Sequence, residues 1–120
     1  MTGPVAQSYV SAVIALYVDL PDTPLRAGPH DQRFASRLQE RGAPLALVES
    51  PLLLASLRRL TRPAGLPPLS PIRSLAYFEP VIAELQQAPL PPHYTEYLRH
   101  KLARVLAGLP APSPEKDVSR

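Results

Sequence analysis

The chain reads as all-α: a small five-helix orthogonal bundle with Pro-rich connections and a disordered C-terminal tail. Three observations predict this class. Apolar residues recur at spacings of three and four through five segments, the period of an amphipathic helix and not of a strand. Leu is the dominant large apolar residue, and Leu favours helix. The 17 Pro, against 5 Gly, fall between the apolar segments as punctuation instead of gathering in one low-complexity tract. A chain of 120 residues suffices for one core and is too short for two, so a single domain is expected over residues 1–108. Residues 109–120 have nothing to bury and are expected to form the tail.

The first helix is expected over residues 5–18, where Val5, Tyr9, Val10, Val13, Ile14, Tyr17 and Val18 follow helical spacing. Its β-branched content leaves a strand as the alternative. Residues 20–30, LPDTPLRAGPH, carry three Pro and a Gly and read as an irregular crossing loop, with Gly28-Pro29 as a turn. Asp31 is placed as the N-cap of a helix over residues 32–41 with Phe34, Ala35 and Leu38 inward. Gly42 suits the left-handed position after a helix end, and Pro44 suits the first turn of the next helix.

Residues 44–62 are apolar nearly all round, which marks a central helix. Pro51 either kinks this helix or restarts it with Ser50 as N-cap. The kink is preferred, because a restart leaves residues 45–49 as a barely nucleated turn. Pro63 ends the helix and opens a stiff loop over residues 63–71, polyproline-like in part. Ser74 then caps a helix over residues 75–87 that turns Leu75, Phe78, Val81, Ile82 and Leu85 inward and is bent at Pro80. The last helix spans residues 93–107, with Tyr94, Tyr97, Leu98, Leu102, Val105 and Leu106 on one stripe, and Gly108 and Pro110 terminate it.

Composition narrows function. Without Cys there are no disulfides, thiolate metal sites or cysteine nucleophile, a composition that suits a reducing cytoplasm. The start, MTGPVAQ, has no Lys or Arg ahead of a short apolar run ended by Asp19, so no signal peptide is expected. No stretch approaches the ~20 apolar residues that cross a bilayer, so no membrane partner is expected.

Charge is placed unevenly. Seven basic residues against three acidic ones between Arg58 and Arg104 exceed the whole chain's net +3. Arg33, Arg37 and Arg41 recur every four residues as a basic stripe, and Arg58, Arg59 and Arg62 cluster at the end of the central helix. Such surfaces can follow a phosphate backbone, and they can equally cap helix ends and solubilise a Leu-rich domain. The corner at Gly42 invites comparison with a helix-turn-helix. However, Leu45, Ala46, Leu47 and Val48 cannot make bidentate contacts to base edges, so any DNA contact here positions without specifying.

Other constellations read as structural. His93, Glu96 and His100 share a helical face but depart from zinc-protease spacing, and no metal or cofactor is expected. Ser36, Ser50, Ser56, Ser70 and Ser74 lack a glycine-bounded elbow, His30 sits alone in a Pro-rich loop, and no Gly-rich phosphate loop is present. Tyr77-Phe78 and Tyr94/Tyr97 could stack on bases, but their helical spacing favours core positions.

The succession of a short basic helix, a Leu-rich helix ending in Arg, a loop, and Ser74-Leu75-Ala76-Tyr77-Phe78 followed by Val81-Ile82 resembles the small helical domain of bacterial DnaD-type and plasmid replication-initiation proteins over residues 31–87. The blocks IALYVDLPDTP and PIRSLAYFEPVIAEL resemble those of small uncharacterised bacterial proteins associated with mobile elements. The first resemblance implies binding to DNA or to a replication protein. Charge and resemblance together lead to the expectation of a non-enzymatic accessory protein binding DNA or RNA weakly through the six Arg. The alternative is a protein-interaction or homo-oligomerisation module that uses spare Leu surface on the central helix or the Tyr9/Tyr17 face of the first.

Overall fold

The computed structural model describes the backbone of residues 3–108 and the side chains of residues 9–108. The expected tail, residues 109–120, lies outside the described residues. The architecture is all-α: α1 (Gly3–Val18), α2 (Pro29–Glu40), α3 (Ala46–Leu60), α4 (Glu79–Gln87) and α5 (Tyr94–Leu106), with a 3-10 turn, Leu75–Phe78, ahead of α4.

The start of α2 departs from expectation. The helix begins at Pro29 with Gly28 as its cap, so Gly28-Pro29 is a helix start and not a free turn. Pro at the first position loses nothing there, because that N–H has no intrahelical partner. Asp31 is therefore in the first turn, where its carboxylate accepts the Gly28 N–H at 2.8 Å and the Leu75 N–H at 2.8 Å. It is buried, and it ties α2 to the turn before α4.

The corner after α2 has the predicted chemistry. Gly42 takes φ 76°, its N–H reaches the Gln39 carbonyl at 2.9 Å, and the Ala43 N–H reaches the Leu38 carbonyl at 3.1 Å. These two bonds make a Schellman motif, which satisfies carbonyls that the helix end would leave open. The Tyr9 hydroxyl donates to the Ala43 carbonyl at 2.7 Å and locks α1 onto the corner. Burial raises the Tyr9 pKa, with the nearby Arg41 charge acting against the rise.

Regular helix then starts at Ala46, two residues later than expected. Pro44 and Leu45 supply the entering turn, with their carbonyls accepting from Leu47 and Val48. α3 runs unbroken through Pro51, which excludes the restart. Ser50 is no cap: its hydroxyl lies 3.2 Å from the Ala46 carbonyl and 2.6 Å from the Thr95 hydroxyl of α5. As expected, α3 is central, packing on α1, the 3-10 turn, α4 and α5.

Ser74 does cap, its Oγ accepting the Ala76 N–H at 3.1 Å, but it caps the 3-10 turn. Pro80 therefore stands in the first turn of α4 and does not bend a longer helix. α5 ends at Leu106 with Ala107 as its cap, and Gly108 follows at φ 76° with its N–H reaching the Val105 carbonyl.

Two apolar clusters hold these elements. The larger joins Val13 and Tyr17, Phe34 and Leu38, Val48 and Leu52, and Leu75, Phe78 and Ile82. The smaller, Leu53, Leu57, Leu98 and Leu102, seats α5 on α3. Tyr17 is fully buried against the edge of Phe78, and burial, with a smaller contribution from Asp31, pushes its pKa up to about 12. The Tyr9/Tyr17 face is thus engaged inside the molecule. Leu surface on α3 is spare only at its ends, Leu45 and Leu60.

Candidate binding site

The site grows from Arg59. The last turn of α3 aims this side chain at two irregular segments, and it is 8% exposed. Its guanidinium donates to the Tyr77 hydroxyl at 3.1 Å, to Asp22 Oδ2 at 3.2 Å and to the Ser70 carbonyl at 2.9 Å. Burial disfavours its charge, but the hydrogen bonds to Tyr77 and Asp22 overcome this and raise its pKa. A second tie joins the same segments, from the Ile72 N–H to the Asp22 carbonyl at 2.9 Å. Asp22 has φ 64°, a left-handed conformation that Asp adopts more readily than most residues. Arg59 thereby fixes the loop after α1, the Pro-rich loop after α3 and the turn before α4 in one arrangement.

That arrangement leaves a cleft of about 400 Å³ between the end of α3 and the start of α4. Ala55, Leu69, Tyr77, Pro80 and Val81 line it together with Arg58, Arg59 and Arg62. A smaller cleft of about 260 Å³ adjoins it and shares Arg59, Arg62 and Leu69. Leu69 is 44% exposed and Tyr77 43%, so a large apolar group on a partner would remove apolar surface from water here.

The six Arg of the sequence reading separate into different roles. Arg58 makes a two-pronged pair with Glu84, at 2.9 and 2.8 Å. Its pKa is raised by that hydrogen bond, and the same bond holds the Glu84 carboxyl below its usual range. Arg59 is buried and structural. Arg62, one residue past the cap of α3, donates to the Pro67 carbonyl at 2.8 Å and meets no carboxylate among the described residues. Arg41 faces α4 instead, 4.0 Å from Glu79 and 3.4 Å from the Gln86 side-chain oxygen. Arg33 and Arg37 are exposed on α2 and pair with no side chain among the described residues.

The structure thus brings Arg58, Arg59 and Arg62 to one cleft and leaves Arg33 and Arg37 on a separate helix. The chain matches no family model, no curated protein and no solved structure.

The remaining candidates have local explanations. Phe78 is buried, and Tyr77 packs edge-on against it. Tyr94 and Tyr97 pack on each other, with Lys101 over the Tyr97 ring. None of Ser36, Ser50, Ser56, Ser70 and Ser74 meets a His, and no three His, Asp or Glu converge as a metal site among the described residues. No described helix is long and apolar enough to cross a membrane. Leu69 and Pro80 line the cleft without having been legible as site residues. The available signal for Leu69 was a Leu inside a Pro-rich loop, where no helical period accounts for it.

Proposed function

We propose that the chain is a non-enzymatic protein-interaction module whose binding surface is the cleft between α3 and α4. The observation that carries this reading is an apolar cleft beside a buried arginine side chain that fixes its walls, with Leu69 and Tyr77 exposed in its lining. A cleft of this size suits one or two anchoring side chains of a partner segment, the arrangement through which a few buried contacts dominate protein recognition. Panning a random-peptide display library against the folded chain tests the reading. Enriched peptides are expected to lose binding to Val81→Asp and to keep it to the Arg33→Ala/Arg37→Ala double variant. Enrichment indifferent to Val81→Asp, or none at all, overturns it.

A second reading is weak nucleic-acid binding. Arg33 and Arg37 favour it, being exposed one helical turn apart and unpaired among the described residues, and the resemblance to replication proteins agrees with it. Contacts of that kind follow phosphates without reading bases. Titration against duplex and single-stranded DNA should then show affinity at low salt that falls steeply towards physiological salt; absence of binding at low salt sinks this reading.

A further inference from the structure

We propose that the occupant of the α3–α4 cleft is an acidic amphipathic segment of a partner protein, which seats an apolar side chain against Leu69, Tyr77 and Val81 and sets a carboxylate on Arg62. This rests on the cleft reading above and adds the chemistry of the partner.

Charge complementarity carries the argument. Three guanidinium groups line the cleft. Two are answered from within, Arg58 by Glu84 and Arg59 by Asp22. Arg62 meets no carboxylate among the described residues: one of its nitrogens reaches a backbone carbonyl, which is a dipole and does not neutralise the charge. A planar guanidinium of this kind presents further donors in a fork that matches a carboxylate. Arg62 also lines both adjoining clefts; the smaller one carries Asp22, paired with Arg59, beside Pro68 and Leu69, so the apolar foothold is the larger cleft and the carboxylate of a seated segment is set at Arg62. A nucleic-acid strand fits less well, because tracking a phosphate backbone takes a row of free cations. Here one cation without a carboxylate partner among the described residues stands among Leu69, Tyr77 and Val81.

Three synthetic peptides of about ten residues, sharing one Leu and one Phe anchor and flanked by Glu, Gln or Lys alone, provide the test by calorimetry or amide-shift titration with the full chain. The Glu peptide is expected to bind about tenfold more tightly than the Gln peptide, the scale of one charge-assisted hydrogen bond, and the Lys peptide more weakly than either. Added salt should erode the difference. Arg62→Gln should abolish the preference and Arg62→Lys should retain part of it. Glu84→Gln, which releases Arg58, should increase it, so the outcome does not depend on one variant folding. Equal binding of Glu and Gln peptides overturns the acidic preference while leaving the cleft reading in place. Failure of all three to perturb Leu69, Tyr77 and Val81 removes both.

Discussion

The polar side chains that matter most in this molecule bridge segments distant in sequence. Asp31 joins the start of α2 to Leu75, and Arg59 joins α3 to Asp22, Ser70 and Tyr77. In the sequence both stand out as polar residues at helix ends with local roles, because a local rule exists for each: Asp as a cap, Arg at a helix C-terminal end. Their long-range partners carry no pattern in the chain, since a backbone N–H or carbonyl is the same at every residue. Asp31 supplies a clean prediction. Asp31→Ala leaves two N–H groups without their acceptor, one of them in a buried setting, and should lower unfolding stability by roughly 3 kcal/mol. Asp31→Asn keeps one acceptor oxygen and should lose about half as much. Chemical denaturation of the three proteins checks the order, and equal stability of Asp31→Ala and the parent would show the carboxylate to be dispensable.

Helix periodicity was legible, and helix starts less so. α1, the corner at Gly42, the central α3 and the stop at Gly108 followed from apolar spacing and from glycines whose positive φ the termination chemistry requires. The starts of α2, α3 and α4 shifted because a Pro can stand ahead of a helix, in its first turn or in its interior, and only packing selects among these. Pro80 opens α4, whereas Pro51 lies buried within α3. The α3–α4 pairing also carries a pH response. Arg58 depresses the Glu84 pKa, so their bond stabilises the fold above the ordinary carboxylate pKa, and the contribution disappears as pH falls through the lowered folded-state value. The stability difference between the parent and Glu84→Gln should therefore shrink from neutral to acid pH. Both side chains are half-exposed, so the difference should be modest even at neutrality. Urea midpoints measured across that range decide it, and a gap independent of pH would contradict the assignment.

At the scale of the whole molecule, the sequence displayed the amount of basic charge but not its division. The six Arg do not act as one surface. Arg33 and Arg37 are exposed on α2 and pair with no side chain among the described residues, Arg41 turns to α4, Arg59 is structural, and Arg58 and Arg62 flank an apolar cleft. Periodicity along each helix shows a stripe; it says nothing of how stripes on different helices are oriented. The end of α3, one residue of the Pro-rich loop, the short turn and the start of α4 form the cleft, so no contiguous motif announces it. The central claim is that this cleft, and not the α2 stripe, meets the partner. Photocrosslinking in cells of the encoding organism addresses it directly, with a photoreactive residue placed at Leu69, at Arg37 or at His100 of α5. The account predicts a discrete protein adduct from position 69, suppressed by Val81→Asp, and none from the other two positions. Nucleic-acid adducts from position 37 with nothing from position 69 would contradict it.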